Sequence, residues 1–212
     1  MALVAAYLVG GIPIGLLVGR AKGIDDIRKY GSGNIGASNV LRVIGVKAGL
    51  FVWFMDAMKG LAPVLVATHL VFPPAAEGAA TGRVLWIGAV AVAAMAGHCF
   101  SPYLRLTGGR GVSTSLGVII GMDWRVGLIC LGTWIVIVAL SRYISLGSMI
   151  GSAISGPVLC LFGAPRPFVF AAALIALIVV IRHIPNIQRL ATGTERKIGQ
   201  KERPRADAES AS

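Results

Sequence analysis

Long apolar runs alternate along the chain with short polar stretches, and the runs are too continuous to be the apolar faces of water-soluble helices. A helix needs about 20 mostly apolar residues to cross a bilayer, within a range of roughly 17 to 25. Residues 2–19, 48–72, 84–100, 126–140 and 168–181 meet or approach that length. Segments 112–122 and 149–163 are shorter and rich in small residues, a composition that suits tilted helices packed through Gly and Ser contacts. The pattern predicts an all-α integral membrane protein with seven transmembrane helices. Pro73-Pro74 and Pro165-Arg166-Pro167 read as turns on one side, because proline ends a helix at the preceding residue.

Charge orients these helices. With seven spans and an outside N-terminus, one side collects 16 Lys and Arg, from Arg20 to Arg205, whereas the other holds only Arg83, Arg125 and Arg166. The positive-inside rule then predicts a cytoplasmic C-terminus. Trp86 and Trp124 fall near the outer interface, where indole rings anchor.

Composition supports the same class: of 212 residues 56% are hydrophobic and 14% charged. The net charge of +11 would suggest nucleic acid in a soluble protein. In a membrane protein, topology and lipid headgroups account for it, so no nucleic-acid partner is expected. Cys99, Cys130 and Cys160 are odd in number, far apart and set in apolar sequence, which predicts core residues and neither disulfides nor metal ligands. Residues 1–19 lack the positive leader of a cleaved signal peptide and read as a retained first span. Residues 1–199 form one membrane domain, and 200–212, charged and without apolar periodicity, a solvated cytoplasmic tail.

Three polar stretches, 31–42, 97–114 and 183–195, combine glycine, arginine, hydroxyl and amide side chains. Glycine lets backbone N–H groups approach an anion and arginine supplies a charge-assisted fork, so the stretches suggest a divided phosphate site. The predicted topology brings all three to the cytoplasmic face. Gly31 to Gly36 matches G-x-G-x-x-G, yet it follows a membrane span and a basic loop instead of a β-strand, which excludes a dinucleotide fingerprint. What remains is a turn with Gly31, Gly33, Ser32, Asn34, Ser38 and Asn39 as donors and Arg42 as cation, or a plain cytoplasmic loop. Gly108-Gly109-Arg110-Gly111 leads into segment 112–122, where a helix N-terminus offers free N–H groups to an anion, or else the glycines merely end one element while Arg110 meets lipid phosphates. In the third stretch His183 and Asn186 are spaced to share a helix face, although Pro185 strains the helix. His183 suits proton transfer or hydrogen bonding to a hydroxyl, or caps a helix end; Glu195 orients a cation or balances the tail.

Asp56 and Lys59 lie inside a span, where ionisable groups face a partner or a wet site. Their spacing lets them pair as structure or reach the polar site. His69 and His98 lack paired ligand spacing and read as structural, so no metal is expected. G-x-S-x-G, H-E-x-x-H and a His with an Asp five residues later are all missing from the sequence.

The ordered blocks 31–42, Asp56-Ala-Met-Lys-Gly60, 97–114, 141–148 and 183–199 resemble those of the bacterial membrane acyl-phosphate:glycerol-3-phosphate acyltransferases of the PlsY type. The resemblance covers nearly the whole chain. It implies a seven-helix enzyme of the bacterial inner membrane that performs the first acylation of phospholipid synthesis. Acyl phosphate and glycerol 3-phosphate would be its substrates, lysophosphatidic acid and inorganic phosphate its products, with no cofactor and no obligate protein partner. Site residues carried over are Ser32, Arg42, Arg110, Ser148, His183, Asn186 and Glu195, with His183, Asn186, Ser32 and Arg42 expected in catalysis. Phosphate binding is expected of Gly31, Gly33, Asn34, Asn39, Gly108, Gly109, Arg110, Gly111, Ser148 and Glu195, with Asp56 and Lys59 as support. The family usually has lysine at the position of Arg110 and threonine at that of Ser38, and arginine keeps the charge but not the geometry of lysine. The rival reading, an inner-membrane transporter of an organic phosphate, calls for a midplane site between repeats. Here the polar blocks gather at one face and no repeat is evident.

Overall fold

The structure, a computed structural model, describes residues 1–72 and 80–200. Pro73-Pro74 and residues 201–212 lie outside the described residues. Within them the chain is helical, with no strand. Its helices are α1 (Ala2–Gly11), α2 (Ile14–Ala21), α3 (Ala37–Val43), α4 (Val46–Val66), α5 (Ala80–Cys99) and α6 (Val112–Met122). They continue with α7 (Trp124–Ser141), α8 (Ile144–Ala153), α9 (Ser155–Leu161), α10 (Arg166–Arg182) and α11 (Ile184–Ala191).

Proline sets several boundaries. Pro13, which has no N–H to donate, separates α1 from α2, and Pro165 caps the start of α10. Pro185 stands at the start of α11, which bends 57° from α10. By contrast Pro63 sits inside α4, which runs on through a π-helical turn, Ala67–Val71.

Among the described residues five stretches are long and apolar enough to cross a membrane: Ala2–Ala21, Val46–Val71, Gly82–Leu104, Trp124–Ser141 and Ile144–Leu161. The bent pair α10 and α11 makes a sixth if it is one span. This is a multi-pass integral membrane protein. Helix α6, the remaining expected span, has 11 residues and reaches only about 16 Å at 1.5 Å per residue. The α8–α9 helix begins at Ile144, five residues before the hydropathy pattern starts it, because Ser145, Gly147 and Ser148 turn inward and lower the local apolar average.

Small residues let the helices touch backbone to backbone. A Cβ at Gly117 of α6 would sit 1.9 Å from the Ala57 carbonyl oxygen of α4, and one at Gly60 would sit 2.2 Å from that of Thr114. The α1–α5 contact is built the same way, through Gly10 and Gly97. Such close approach supplies the dispersion that holds helices together in lipid, where burying apolar area against a neighbour gains little. Around these contacts Val90, Ala94 and Met95 pack against Val118, Ile175 and Val179. The outer surface is apolar: Leu140, Leu161 and Phe170 are exposed, as are Trp86 and Trp124. Cys99 and Cys130 are buried as expected, but Cys160 is exposed, because it lies beside Leu161 on the outer face of α9.

Candidate active site

The polar stretches converge on a cavity of about 580 Å³. Gly31, Ser32, Asn34, Arg42, Asp56, Arg110, Gly111, Ser148, His183, Asn186 and Glu195 line it; Gly33, Asn39, Lys59, Gly108 and Gly109 do not.

The first wall is a loop folded around one amide. Asn39, fully buried, accepts from Ser32 N at 2.7 Å and Ser32 Oγ at 3.1 Å, and its Nδ2 faces the carbonyls of Ile27, Tyr30 and Asn34. With its amide so engaged, Asn39 shapes the loop and is no phosphate donor. Gly31 adopts φ +60°, and a Cβ there would lie 2.3 Å from Asn39 Oδ1, so only glycine fits. Asn34 Oδ1 accepts from Gly36 N, and Arg42 follows about one turn after Asn39 on α3.

The second wall also departs from expectation. Gly108 N and Gly109 N donate to the carbonyls of Cys99 and His98 at the end of α5, each at 3.1 Å, so neither N–H is left for an anion. Gly111, at φ +79°, turns the chain into α6. The first-turn N–H groups at Val112 and Ser113 have no intrahelical acceptor, and both residues line the cavity. The N–H groups left open toward the cavity are therefore about one turn later than Gly108 and Gly109.

The third wall is organised by Glu195. Its Oε1 accepts from Ser145 Oγ and Asn186 Nδ2, each at 2.6 Å, and its Oε2 accepts from Arg189 Nε at 2.7 Å. A carboxylate holding three donors orients them and repels phosphate, so Glu195 is not a phosphate ligand. Because Asn186 turns its Nδ2 to this carboxylate, its Oδ1 is left as a buried acceptor with no hydrogen-bond partner among the described residues. His183 Nδ1 lies 2.8 Å from the Val179 carbonyl, which can only accept; Nδ1 therefore carries the proton and Nε2 is the ring's acceptor. Ser148 Oγ donates to the Ile144 carbonyl and accepts from Trp134 Nε1.

Beneath these walls, Lys59 Nζ pairs with Asp56 Oδ1 at 2.6 Å and donates to the Ile12 carbonyl at the α1–α2 break. Asp56 reaches the cavity and Lys59 ties it to structure. His98 Nδ1 bonds Thr114 Oγ1 at 3.1 Å, and His69 is exposed. Among the described residues no three His, Cys, Asp or Glu side chains gather to hold a metal ion.

Cations crowd one part of the cavity. Burial lowers the Arg110 pKa, and Arg189, Arg42 and Arg182 lower it further against the opposing pull of Glu195, to about 10. Arg110 thus stays charged near neutrality. Arg189 and Arg196 also line the cavity; Arg189 lies in the third polar stretch without an individual role, and Arg196 counts in the sequence only as a topological charge. The i, i+3 series His183, Asn186, Arg189 was the available signal for Arg189, and Ser145, Ser148, Ser152 and Ser155 form a comparable inward stripe. Much of the remaining lining is apolar, with Trp53, Leu116, Ile119, Leu131, Trp134 and Ile135, and His98, Ser38 and Ser115 also face the cavity.

Burial raises the Glu195 pKa, but its hydrogen bonds from Ser145, Asn186 and Arg189 outweigh this and hold it below 4.5. A depressed carboxylate pKa contributes stability that is complete above 4.5 and is lost as pH falls through the lower folded-state value. Thermal melting should therefore show no Glu195-dependent change between about pH 5 and 8, and Glu195→Gln should flatten the acid limb. An unaltered acid limb in the variant would remove Glu195 as its cause.

Residues 1–193 match the family model described as glycerol-3-phosphate acyltransferase. The chain belongs to the glycerol-3-phosphate acyltransferase family. Curated glycerol-3-phosphate acyltransferases match over more than nine-tenths of their length. That of Thioalkalivibrio sulfidiphilus is 40% identical over 97% of this chain and 96% of the relative. That of Geobacter sulfurreducens is 45% identical over 91% and 93%. A crystal structure of PlsY, an integral membrane glycerol 3-phosphate acyltransferase in its glycerol 3-phosphate form, superposes with a TM-score of 0.84 at 33% identity, covering 93% of this chain and 94% of that one. Its lysophosphatidic acid form gives 0.82 at 32% identity, with the same coverage. The chain is a glycerol-3-phosphate acyltransferase of the PlsY type.

Proposed function

We propose that the cavity transfers a fatty acyl group from acyl phosphate to the sn-1 hydroxyl of glycerol 3-phosphate, releasing lysophosphatidic acid and inorganic phosphate. The observation that carries this reading is the joining of cationic and apolar lining in one cavity. Arg42, Arg110, Arg189 and Arg196 gather with the N-terminus of α6, and Leu116, Ile119, Leu131 and Trp134 continue from them between the helices. Such a space takes a phosphate at one part and an alkyl chain at another.

Acyl phosphate is already activated, so positioning and charge stabilisation are the main tasks. Arg42, Arg110 and the α6 N–H groups hold phosphate, while Ser32 and Ser148 border the reacting groups. Asn186 Oδ1 accepts a hydrogen bond from a glycerol hydroxyl, and His183 Nε2 faces the hydroxyl that reacts. The glycerol oxygen bonds to the acyl carbon, the acyl C–O bond to phosphate breaks, and the hydroxyl proton passes to His183 Nε2 or to the departing phosphate.

Residues 1–199 form this single domain, with α6 as a short seventh crossing, the N-terminus outside and the tail 200–212 in the cytoplasm. The excess of Lys and Arg on one side supports that orientation, with the cavity mouth on the cytoplasmic face of the bacterial inner membrane. Membrane lipids are the surrounding partners.

Purified protein in detergent, given acyl phosphate and labelled glycerol 3-phosphate, should form lysophosphatidic acid. No product with either acyl phosphate or acyl thioester donors would overturn the reading. Arg110→Ala should raise KM for a phosphorylated substrate about tenfold, in line with the loss of a charge-assisted hydrogen bond. Wild-type kcat and KM for both substrates would remove Arg110 from phosphate binding.

A further inference from the structure

Arg182 is outside the cavity, yet it holds two of the polar stretches together. Its Nη2 donates to the Gly108 carbonyl at 2.7 Å and its Nε to the Gly109 carbonyl at 3.1 Å, across more than 70 residues of sequence. The guanidinium also lies 5.8 Å from the centre of the Phe100 ring. The N–H groups of Gly108 and Gly109 are already bonded to the end of α5, so two consecutive residues have both their N–H and their C=O groups anchored. They have no room to drift: a Cβ at Gly108 would lie 2.0 Å from the His98 carbonyl oxygen, and one at Gly109 would lie 2.1 Å from His98 Nε2. His98 is itself held by Thr114 of α6. Arg110 follows these anchored residues directly, and His183 follows Arg182 directly.

We propose that Arg182 is a positioning residue that braces the Gly108–Gly111 loop against the end of α10 and so sets the placement of Arg110 relative to His183; this rests on the phosphate role of Arg110. The brace acts through backbone carbonyls and makes no contact with substrate. A planar guanidinium presents two N–H groups to neighbouring carbonyls at once, whereas a lysine offers one ammonium nitrogen for both.

The test is a double-mutant cycle, with KM for glycerol 3-phosphate and for acyl phosphate measured in wild type, R110A, R182M, R182K and the R110A variants carrying each Arg182 change. R110A alone measures the phosphate role. If R110A leaves both KM values unchanged, that role falls and the brace with it. Given a raised KM in R110A, R182M should raise KM for the same substrate about tenfold with kcat changed less than about threefold, and R182K about threefold. Added to R110A, either change should raise KM less than about twofold further, because both act on one interaction. Additive effects, a loss confined to kcat, or wild-type KM in R182K would each overturn the brace while leaving the phosphate role of Arg110 standing. Should R182M fail to fold, R182K in the two backgrounds decides the matter alone.

Discussion

Replacing Asn186 with leucine is expected to lower kcat/KM for glycerol 3-phosphate about a hundredfold, or roughly 2.7 kcal/mol of transition-state stabilisation. Two losses combine. The first is the acceptor Oδ1, buried and without a hydrogen-bond partner among the described residues, which leaves the glycerol hydroxyl unpaired on binding. The second is the 2.6 Å bond from Nδ2 to Glu195, whose Oε1 then keeps only Ser145. Leucine preserves the volume and the α11 helix, but the lost bond to the Glu195 carboxylate should lower the melting temperature, so the kinetic loss is read in steady-state kinetics at a temperature where the variant remains folded. Kinetics like those of the wild type would mean that Asn186 meets no substrate.

Gly117→Leu should abolish activity or prevent recovery of folded protein. The first side-chain carbon alone would meet the Ala57 carbonyl oxygen at 1.9 Å, and backbone on both sides prevents relief by a rotamer change. Helix α6 would have to move away from α4, carrying Ser113, Ser115, Leu116 and Ile119 of the cavity lining with it. Gly132→Leu is the matched control, because a Cβ there meets nothing within 4 Å. The yield of monodisperse protein and the specific activity of the two variants check this. Equal behaviour would show that the α4–α6 contact is not critical.

The pattern along the chain revealed the helices more fully than their ends. Apolar runs marked the long membrane helices, but the start at Ile144 was hidden because Ser145, Gly147 and Ser148 face inward. Spacing put Asp56 and Lys59 on one helix face but left open whether they pair or reach the site; they pair, and Asp56 also lines the cavity. The convergence of Ser32, Arg42, Arg110, His183 and Asn186 on one cavity followed from topology and resemblance. Glycine proved the ambiguous letter. It signals close approach without saying to what, and at Gly108 and Gly109 the neighbour is the end of a helix instead of an anion. Asn39 and Glu195 were equally opaque, because which groups occupy an amide or a carboxylate depends on segments brought together only by folding.

The cavity lined by arginines and by Trp53, Leu116 and Leu131 also bears on how the reaction rate must be counted. One reactant is dissolved in water and its concentration is a molarity. The other is dissolved in the film around the protein, and its concentration is a mole fraction of lipid or detergent. Adding inert detergent above its micelle threshold therefore dilutes the acyl donor in its own phase and leaves glycerol 3-phosphate as concentrated as before, so a KM quoted for the donor has meaning only beside the amphiphile present.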